Sequence, residues 1–519
     1  MTLLLRGLML AAALWLSGCT SLPVHYERIE SHALQGTAET RLGRAGRAAL
    51  QAHAGQNAFR PLPDGLDALL ARIHLAEAAE RSLDLMYYKW NNDTVGKHLA
   101  NALLRAADRG VRVRVLIDDA GTSVDDNNLM ALDGHSALEV RLFNPIASRG
   151  TRMLEMMTSF GRLNRRMHNK AFIADNQRAI LGGRNIGDEY FEAHGDGNFA
   201  DLDVVMAGPV VGEVSKAFDL YWNSPVVYPI AALTGKRHEI GSLDALRADL
   251  AAFVASQTDT PYTQAARARA DVLLNTAADG VFWGKAHVLY DDPSKITRDA
   301  DDREGTLLPQ FSELGLSLDK ELTIVSPYFI PGDAGIAWLG GLVGRGLRVT
   351  VLTNSLASTD VPAVHAGYKR YRDRLVDAGV RLYELKPEAS DVVRASRDRP
   401  RAKEGSRASL HAKTFLFDRQ AMFIGSLNLD PRSIQLNTEI GIVCESPAMT
   451  ESMLSRLEPL IDRIAWRVER AANGIGTPQL VWVETREQDV LRHSSEPDVS
   501  GWQRFKVWLL GLLPIESQL

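Results

Sequence analysis

One pattern occurs twice in this 519-residue chain, and it limits the possible folds more than any other feature. Residues 167–175 read MHNKAFIAD, and residues 410–418 read LHAKTFLFD. Each sets a histidine, a lysine two residues on and an aspartate five further: His168, Lys170 and Asp175, then His411, Lys413 and Asp418. The correspondence continues, because Gly182, Gly183 and Asn185 stand at the same offsets from His168 as Gly425, Ser426 and Asn428 from His411. Residues two apart on a β-strand share a face, so each His and Lys pair is predicted to project together. Each copy is predicted as a hairpin: a strand ending at the aspartate, a tight turn, and a returning strand that carries the small residue and the asparagine on one face. One match to so short a motif arises by chance in roughly two chains in a hundred; two in equivalent places of a repeat do not.

The surroundings of the two copies repeat as well. RSLDLMYYKW (81–90) reads as a strand, VGKHLANALLRAADRG (95–110) as an amphipathic helix closed by Gly110, and VRVRVLIDD (111–119) as the next strand. In the second half KELTIVSPYF (320–329), AGIAWLGGLVGRG (334–346) and LRVTVLTNS (347–355) give the same order, and LEVRLFNP (138–145) is echoed by VRLYELKP (380–387). Strand, helix and strand in this sequence predict an α/β fold, with ligands at the carboxyl ends of the strands. A duplication of this size predicts two similar domains facing each other, placed at 60–230 and 265–490 with a helical connector at 231–264. The chain is too long for one core, and its 45% hydrophobic and 24% charged residues are those of a soluble globular protein. A net charge of -5 carries no whole-protein mark of nucleic-acid binding, so any anion-binding surface is local. Cys19 and Cys444 form no disulfide framework or zinc pattern, and Cys444, in the strand-like EIGIVCES, is expected to be a buried thiol.

The residue types of the motif suit phosphodiester chemistry. One neutral imidazole attacks phosphorus in line while an opposed imidazolium protonates the leaving alcohol, which needs two histidines in different protonation states. Lysines and asparagine amides hold the phosphoryl oxygens as charge develops on them. No metal or other cofactor is called for, since lysine is a poor ligand and each copy has one histidine. The paired motifs resemble the HKD motifs of the phospholipase D superfamily, over most of the chain beyond its first residues. The resemblance implies two phospholipase D-like domains, each a mixed β-sheet flanked by helices, with one active site at their interface. It implies His168 as nucleophile and His411 as general acid, the reverse order remaining open, within a catalytic set completed by Lys170, Asp175, Lys413 and Asp418. Asn185, Asn428, Gly183 and Ser426 are implied in binding or supporting the phosphate. A catalytic imidazole also wants an acidic partner. The family pattern points across the halves, to Glu439 for His168 and Asp201 for His411, with Asp203 as the competitor of Asp201. Asp175 and Asp418 are expected at turns, organising loops rather than touching substrate.

The ends of the chain bear on substrate. MTLLLRGLMLAAALWLSGCTSLP has one basic residue and a short apolar run, the layout of a secretory signal. Its LSGC ending resembles a bacterial lipobox, which implies a signal over 1–18, acylation of Cys19, a tether over 19–59 and a place at the periplasmic face of the outer membrane. Basic residues crowd both motifs: Arg162, Arg165 and Arg166 before His168, and Arg394, Arg397, Arg399, Arg401, Lys403 and Arg407 before His411. They are read either as a solvated charged loop or as an anion-attracting rim. The tail over 491–519 contains WQRFKVWLLGLLPI, read either as an interfacial helix or as one docked on the core. Residues 353–387 and the ending LLPIESQL resemble bacterial cardiolipin synthases of the C type. That implies phospholipid substrates (phosphatidylglycerol, with phosphatidylglycerol or phosphatidylethanolamine as the second), a membrane surface as partner and no nucleic acid. An envelope phospholipase D using water as acceptor, or an exported nuclease, remains open on the motifs alone.

Overall fold

In each half, strands rich in Val, Leu and Ile alternate with amphipathic helices, and every buried strand needs a neighbour to satisfy its backbone. The computed structural model describes residues 21–193, 197–234, 242–275, 280–316, 318–395, 407–471, 479–486 and 489–519. The signal-like segment with Cys19, the residues Arg397, Arg399, Arg401 and Lys403, and the side chain of Arg394 lie outside the described residues.

The first half contributes β1 (Asn57–Leu62), β2 (Ser82–Tyr87), β3 (Arg112–Asp118), β4 (Leu138–Phe143), β5 (Lys170–Ala174), β6 (Arg178–Gly182), β7 (Gly197–Ala200), β8 (Asp203–Ala207) and β9 (Val227–Pro229). The second contributes β10 (Phe282–Tyr290), β11 (Glu321–Val325), β12 (Arg348–Asn354), β13 (Arg381–Leu385), β14 (Arg407–Leu410), β15 (Lys413–Phe417), β16 (Ala421–Gly425), β17 (Ile440–Glu445), β18 (Ala465–Ala471), β19 (Gln479–Thr485) and β20 (Val490–His493). In the first sheet β2, β3 and β4 run parallel, and β5, β6 and β8 continue antiparallel from β2. In the second, β11, β12 and β13 run parallel, and β15, β16 and β17 continue antiparallel from β11. The chain therefore has the mixed, duplicated α/β architecture predicted, and β1 pairs with β10 to join the two sheets edge to edge.

The crossover helices form where the periodicity places them. Asp93 caps the helix Thr94–Asp108 by accepting from the Gly96 amide, and Gly110, at φ 87°, turns the chain into β3. The equivalent helix Gly332–Gly344 is followed by Gly346 at φ 93°. Both motif hairpins turn through two left-handed residues, Asp175 and Asn176 in one and Asp418 and Arg419 in the other, inside turns closed by the Gln177 amide on the Ala174 carbonyl and the Gln420 amide on the Phe417 carbonyl.

One core cluster spans both halves: Ala171, Ile173 and Leu181 lie in it with Leu416, Ile424 and Ile442, so the motif hairpins pack across a shared apolar centre. Cys444 is buried in β17. The connector forms two helices, Ser242–Ser256 and Pro261–Asn275. The second packs on the first half, where Arg269 makes two bonds to the Asp67 carboxylate at 2.5 and 2.7 Å and the Tyr262 hydroxyl donates to the Phe191 carbonyl. Among the described residues no helix is long and apolar enough to cross a membrane.

Candidate active site

The strand of the first motif starts later than predicted. β5 begins at Lys170, so His168 lies two residues before the ladder. Its backbone is held instead by the other half: the His168 amide donates to the Thr438 carbonyl at 2.8 Å, and the Thr438 amide to the Arg166 carbonyl at 2.9 Å. The second copy has the mirror arrangement. β7 and β14 pair in parallel between the halves, and the His411 amide donates to the Ala200 carbonyl at 2.8 Å.

Each crossing delivers the next residue to the histidine. Glu439, after Thr438, sets Oε2 at 2.9 Å from Nδ1 of His168. Asp201, after Ala200, sets Oδ2 at 2.6 Å from Nδ1 of His411. A carboxylate at Nδ1 fixes the tautomer that leaves Nε2 free to react. Asp203 is turned away, ion-paired with buried Arg72 at 2.9 Å. The halves thus exchange acidic partners, and among the described residues neither histidine pairs with a carboxylate of its own half.

The small residues after the motifs serve these carboxylates. A Cβ on Gly183 would stand 2.1 Å from Oδ1 of Asp201, so only glycine leaves that carboxylate its place. At the equivalent position Ser426 donates its hydroxyl to Oε2 of Glu439 at 2.5 Å. Both lysines are buried. Lys170 donates to the carbonyl of His168, and Lys413 lies 3.0 Å from Nδ1 of His411.

The asparagines lie beyond the ends of β6 and β16 rather than on them. Asn185 is engaged, accepting from the Lys89 amide at 3.2 Å and donating to the Tyr190 hydroxyl at 3.0 Å. Oδ1 of Asn428 is buried without a hydrogen-bond partner, an unmet polar atom of the kind a site holds for a ligand.

Asp175 and Asp418 stand at the two hairpin turns, with their carboxylates on backbone amides. Asp175 accepts from the amides of Glu80, Arg81 and Ser82 at 2.8 to 3.2 Å. Asp418 accepts from the amides of Asp319, Lys320 and Glu321 at 2.7 to 2.9 Å. Each ties its hairpin turn to the start of the adjacent antiparallel strand, β2 or β11, seven residues along the chain from its histidine, with its carboxylate spent on backbone donors.

The electrostatics of the halves differ. Burial, then Lys170 and Lys413, hold His168 well below the usual histidine range. Burial and Lys413 push His411 down to about 4, against the pull of Asp201. Burial raises Glu439 to about 7, whereas the facing His411 and Lys413 outweigh burial at Asp201 and keep it ionised. Burial also lowers Lys413 to about 8.

Several neighbours carry no repeat signal. The Tyr88 ring meets His168 edge-on at 5.3 Å, and Tyr190 and Phe199 each meet His411 at 5.0 Å. Arg432 adds positive potential at His168. Asp118 and Asp430 are buried acids raised by burial to about 6 and about 7. Asp430 and Arg432 have Gly187 and Glu189 at the matching places of the first half, so a search for shared residues passes over them. The first-half arginines do not form a free rim. Arg162 donates to Asn144 and the Pro145 carbonyl, Arg165 to the Arg298 carbonyl, and Arg166 is buried against the Asn144 carbonyl and Asp118. Arg407 is exposed and donates to the Ala357 carbonyl at 2.7 Å.

Comparison with known proteins agrees with the duplicated fold. The family described as "Cardiolipin synthase, PLD-like domain" matches residues 72–222 and 316–461, one match per half. The chain is 41% identical over 472 residues to cardiolipin synthase C of Escherichia coli, covering 89% of this chain and 96% of that one. It is 24% identical over 433 residues to cardiolipin synthase B of the same organism, covering 82% and 85%. Among solved structures, phosphatidylserine synthase from Haemophilus influenzae shares the fold with a TM-score of 0.56 at 14% identity, covering 91% of this chain and 99% of that one.

Proposed function

The chain belongs to the cardiolipin synthase family of PLD-like proteins, and from that membership we propose that it makes cardiolipin by passing a phosphatidyl group between two phospholipids. It is a phospholipase D-type phosphatidyltransferase of a membrane-associated bacterial kind. In the reaction proposed, neutral His168 attacks the phosphorus of a donor phosphatidylglycerol or phosphatidylethanolamine through Nε2. The bond to the headgroup oxygen breaks, and His411 gives that oxygen a proton, releasing glycerol or ethanolamine. The primary hydroxyl of a phosphatidylglycerol acceptor then loses its proton to His411 and attacks phosphorus, the P–N bond breaks, and cardiolipin leaves.

The observation that carries this reading is the reciprocal exchange of acidic partners, His168 with Glu439 and His411 with Asp201. It supports one two-histidine centre in place of two separate sites. The unequal carboxylates support the order of roles. Burial and the lysines lower both histidines, but ionised Asp201 pulls His411 back toward the imidazolium an acid needs, while His168 faces the raised Glu439 and keeps its lone pair for phosphorus. In this reading Lys170, Lys413 and the side-chain amide N–H groups of Asn428 hold the phosphoryl oxygens.

Lipid mass spectrometry of purified protein with phosphatidylglycerol vesicles tests the proposal. Cardiolipin and glycerol in equal amounts are expected, and both should vanish in His168→Ala and His411→Ala. Phosphatidic acid without cardiolipin would replace transfer by hydrolysis, and DNA cleavage without lipid product would replace the substrate class.

A further inference from the structure

A phosphodiester in a bilayer can reach buried histidines only if the mouth of the site lies against the headgroups, so the elements around that mouth meet lipid. Large apolar side chains exposed to solvent are concentrated there. Of the seventeen such residues among the described ones, eleven fall in two short segments, residues 153–160 and 502–513. Met153, Met157 and Phe160 are 76%, 75% and 52% exposed, and Trp502, Trp508 and Leu512 are 62%, 59% and 62% exposed. So much apolar surface in two places marks a contact rather than scatter.

The first segment forms the helices Arg152–Thr158 and Phe160–Leu163, over the carboxyl ends of β3 and β4. Arg152 and Arg149 pin it to Asp119, and the chain runs on through Asn164 to His168. The second is the helix Gly501–Gly511, closed at its start by a capping box between Ser500 and Gln503. Only Val507 of this helix is buried, against Leu356 and Ala366. Trp502, Phe505 and Trp508 stack along its outer face, with Lys506 over the Trp502 ring at 5.2 Å.

The helix is also held in place at both ends. Before it, Glu496 accepts from buried Arg372 at 2.9 Å and from His365 at 3.0 Å. After it, the Leu519 carbonyl accepts from the Arg432 amide, the Gln518 carbonyl from the Arg432 guanidinium, and the Gln518 side chain bonds Asn164. Asn164 and Arg432 bond each other as well, so the two apolar segments share one fastening beside His168. Gln503 and Lys506 further line a cleft of about 490 Å3 whose wall includes Phe199, the ring against His411.

We propose that residues 153–160 and the helix Gly501–Gly511 form a single bipartite docking face that seats the mouth of the site on an anionic phospholipid bilayer. This rests on the phospholipid reading above and adds the second, methionine-rich element to it. Composition favours lipid over a second copy of the chain. Residues 501–511 carry Arg504 and Lys506 and no acid, whereas the arginines of residues 149–166 are already paired with Asp118, Asp119, Asp126, Glu155 or backbone carbonyls. Tryptophan, phenylalanine and leucine beside basic residues are the mixture that lies in the headgroup layer of anionic membranes.

The full-length protein on vesicles of phosphatidylglycerol and phosphatidylcholine with brominated acyl chains tests this. Quenching of tryptophan fluorescence should fall in Trp502→Phe/Trp508→Phe and should rise when Met157→Trp adds an indole to the other segment. Met153→Glu/Met157→Glu and Trp502→Glu/Trp508→Glu should each lower turnover of vesicle phosphatidylglycerol at least tenfold, leaving dissolved short-chain phosphatidylglycerol turned over within twofold of wild type. An unquenched indole in Met157→Trp, vesicle turnover unaffected by the methionine pair, or a stable dimer that vesicles do not dissociate would overturn the bipartite face. Absence of lipid product from both substrate forms would instead reject the phospholipid reading, and the quenching results would still judge the face.

Discussion

Lys413 sets the upper pH limit of the proposed chemistry, because a buried ammonium releases its proton early. With its titration lowered to about 8 by burial, its charge is present below that value and is lost as pH rises through it. The rate on phosphatidylglycerol should therefore fall above about pH 8 in wild type. Whatever rate Lys413→Arg retains should stay level to about pH 10, since guanidinium keeps its charge; a wild-type profile flat to pH 10 would contradict this. Asp430 gives the opposite kind of signal, in stability. Its carboxyl is raised to about 7 from 3.8, so the folded state holds a proton that the unfolded chain releases, and stability falls as pH rises from about 4 to 7. Asp430→Asn should flatten that fall in denaturation midpoints, by up to ~4 kcal/mol across the window; an unchanged slope would remove Asp430 from the account. The sequence announced His168, Lys170, His411 and Lys413 because they recur. Asp430, Arg432 and Tyr88 stayed hidden because the halves differ there, and a comparison for sameness does not register a position that only one half uses.

Among elements, the hairpins and crossover helices were legible because period, turn residues and capping agree on them. Where the structure departs, a contact between halves decides: β5 starts at Lys170 because residues 166–168 bond to Thr438 instead of a strand of their own half. No local pattern encodes that. The small residue after each motif is legible as small, but its reason lies across the interface. Gly183→Ala would drive a methyl to within 2.1 Å of the Asp201 carboxylate, and should cut turnover a hundredfold or more with only a small loss of Tm. Asp175→Ala should do the reverse. Three amides lose their acceptor, stability falls by about 3 kcal/mol, and the active fraction that remains folded turns over normally. If both variants lost stability and activity in step, the division between positioning glycine and scaffold aspartate would fail.

For the whole molecule, duplication foretold two α/β units, and the exchange of acidic partners between them was legible only through the family resemblance, with no local pattern of its own. Strand order inside each half follows from local alternation, but the pairing of β7 with β14 joins residues more than 200 apart and has no local signature. The tail was ambiguous between core and membrane for a similar reason. Its apolar face is plain in the residues, while its fixation through Glu496 and Arg432 is visible only in three dimensions. We propose that acyl chains on Cys19 supply a further anchor, so Cys19→Ser should leave the membrane fraction or fail to mature while Cys444→Ser behaves as wild type; equal fractionation of Cys19→Ser would refute the anchor. The central claim, a phosphatidyl group carried on one histidine of a centre shared by both halves, is tested most directly by rapid quenching with phosphatidylglycerol followed by peptide mass spectrometry. The account predicts a phosphatidyl adduct on the peptide containing His168, absent in His168→Ala; an adduct on the His411 peptide, or cardiolipin formation with no adduct on either histidine, would contradict it.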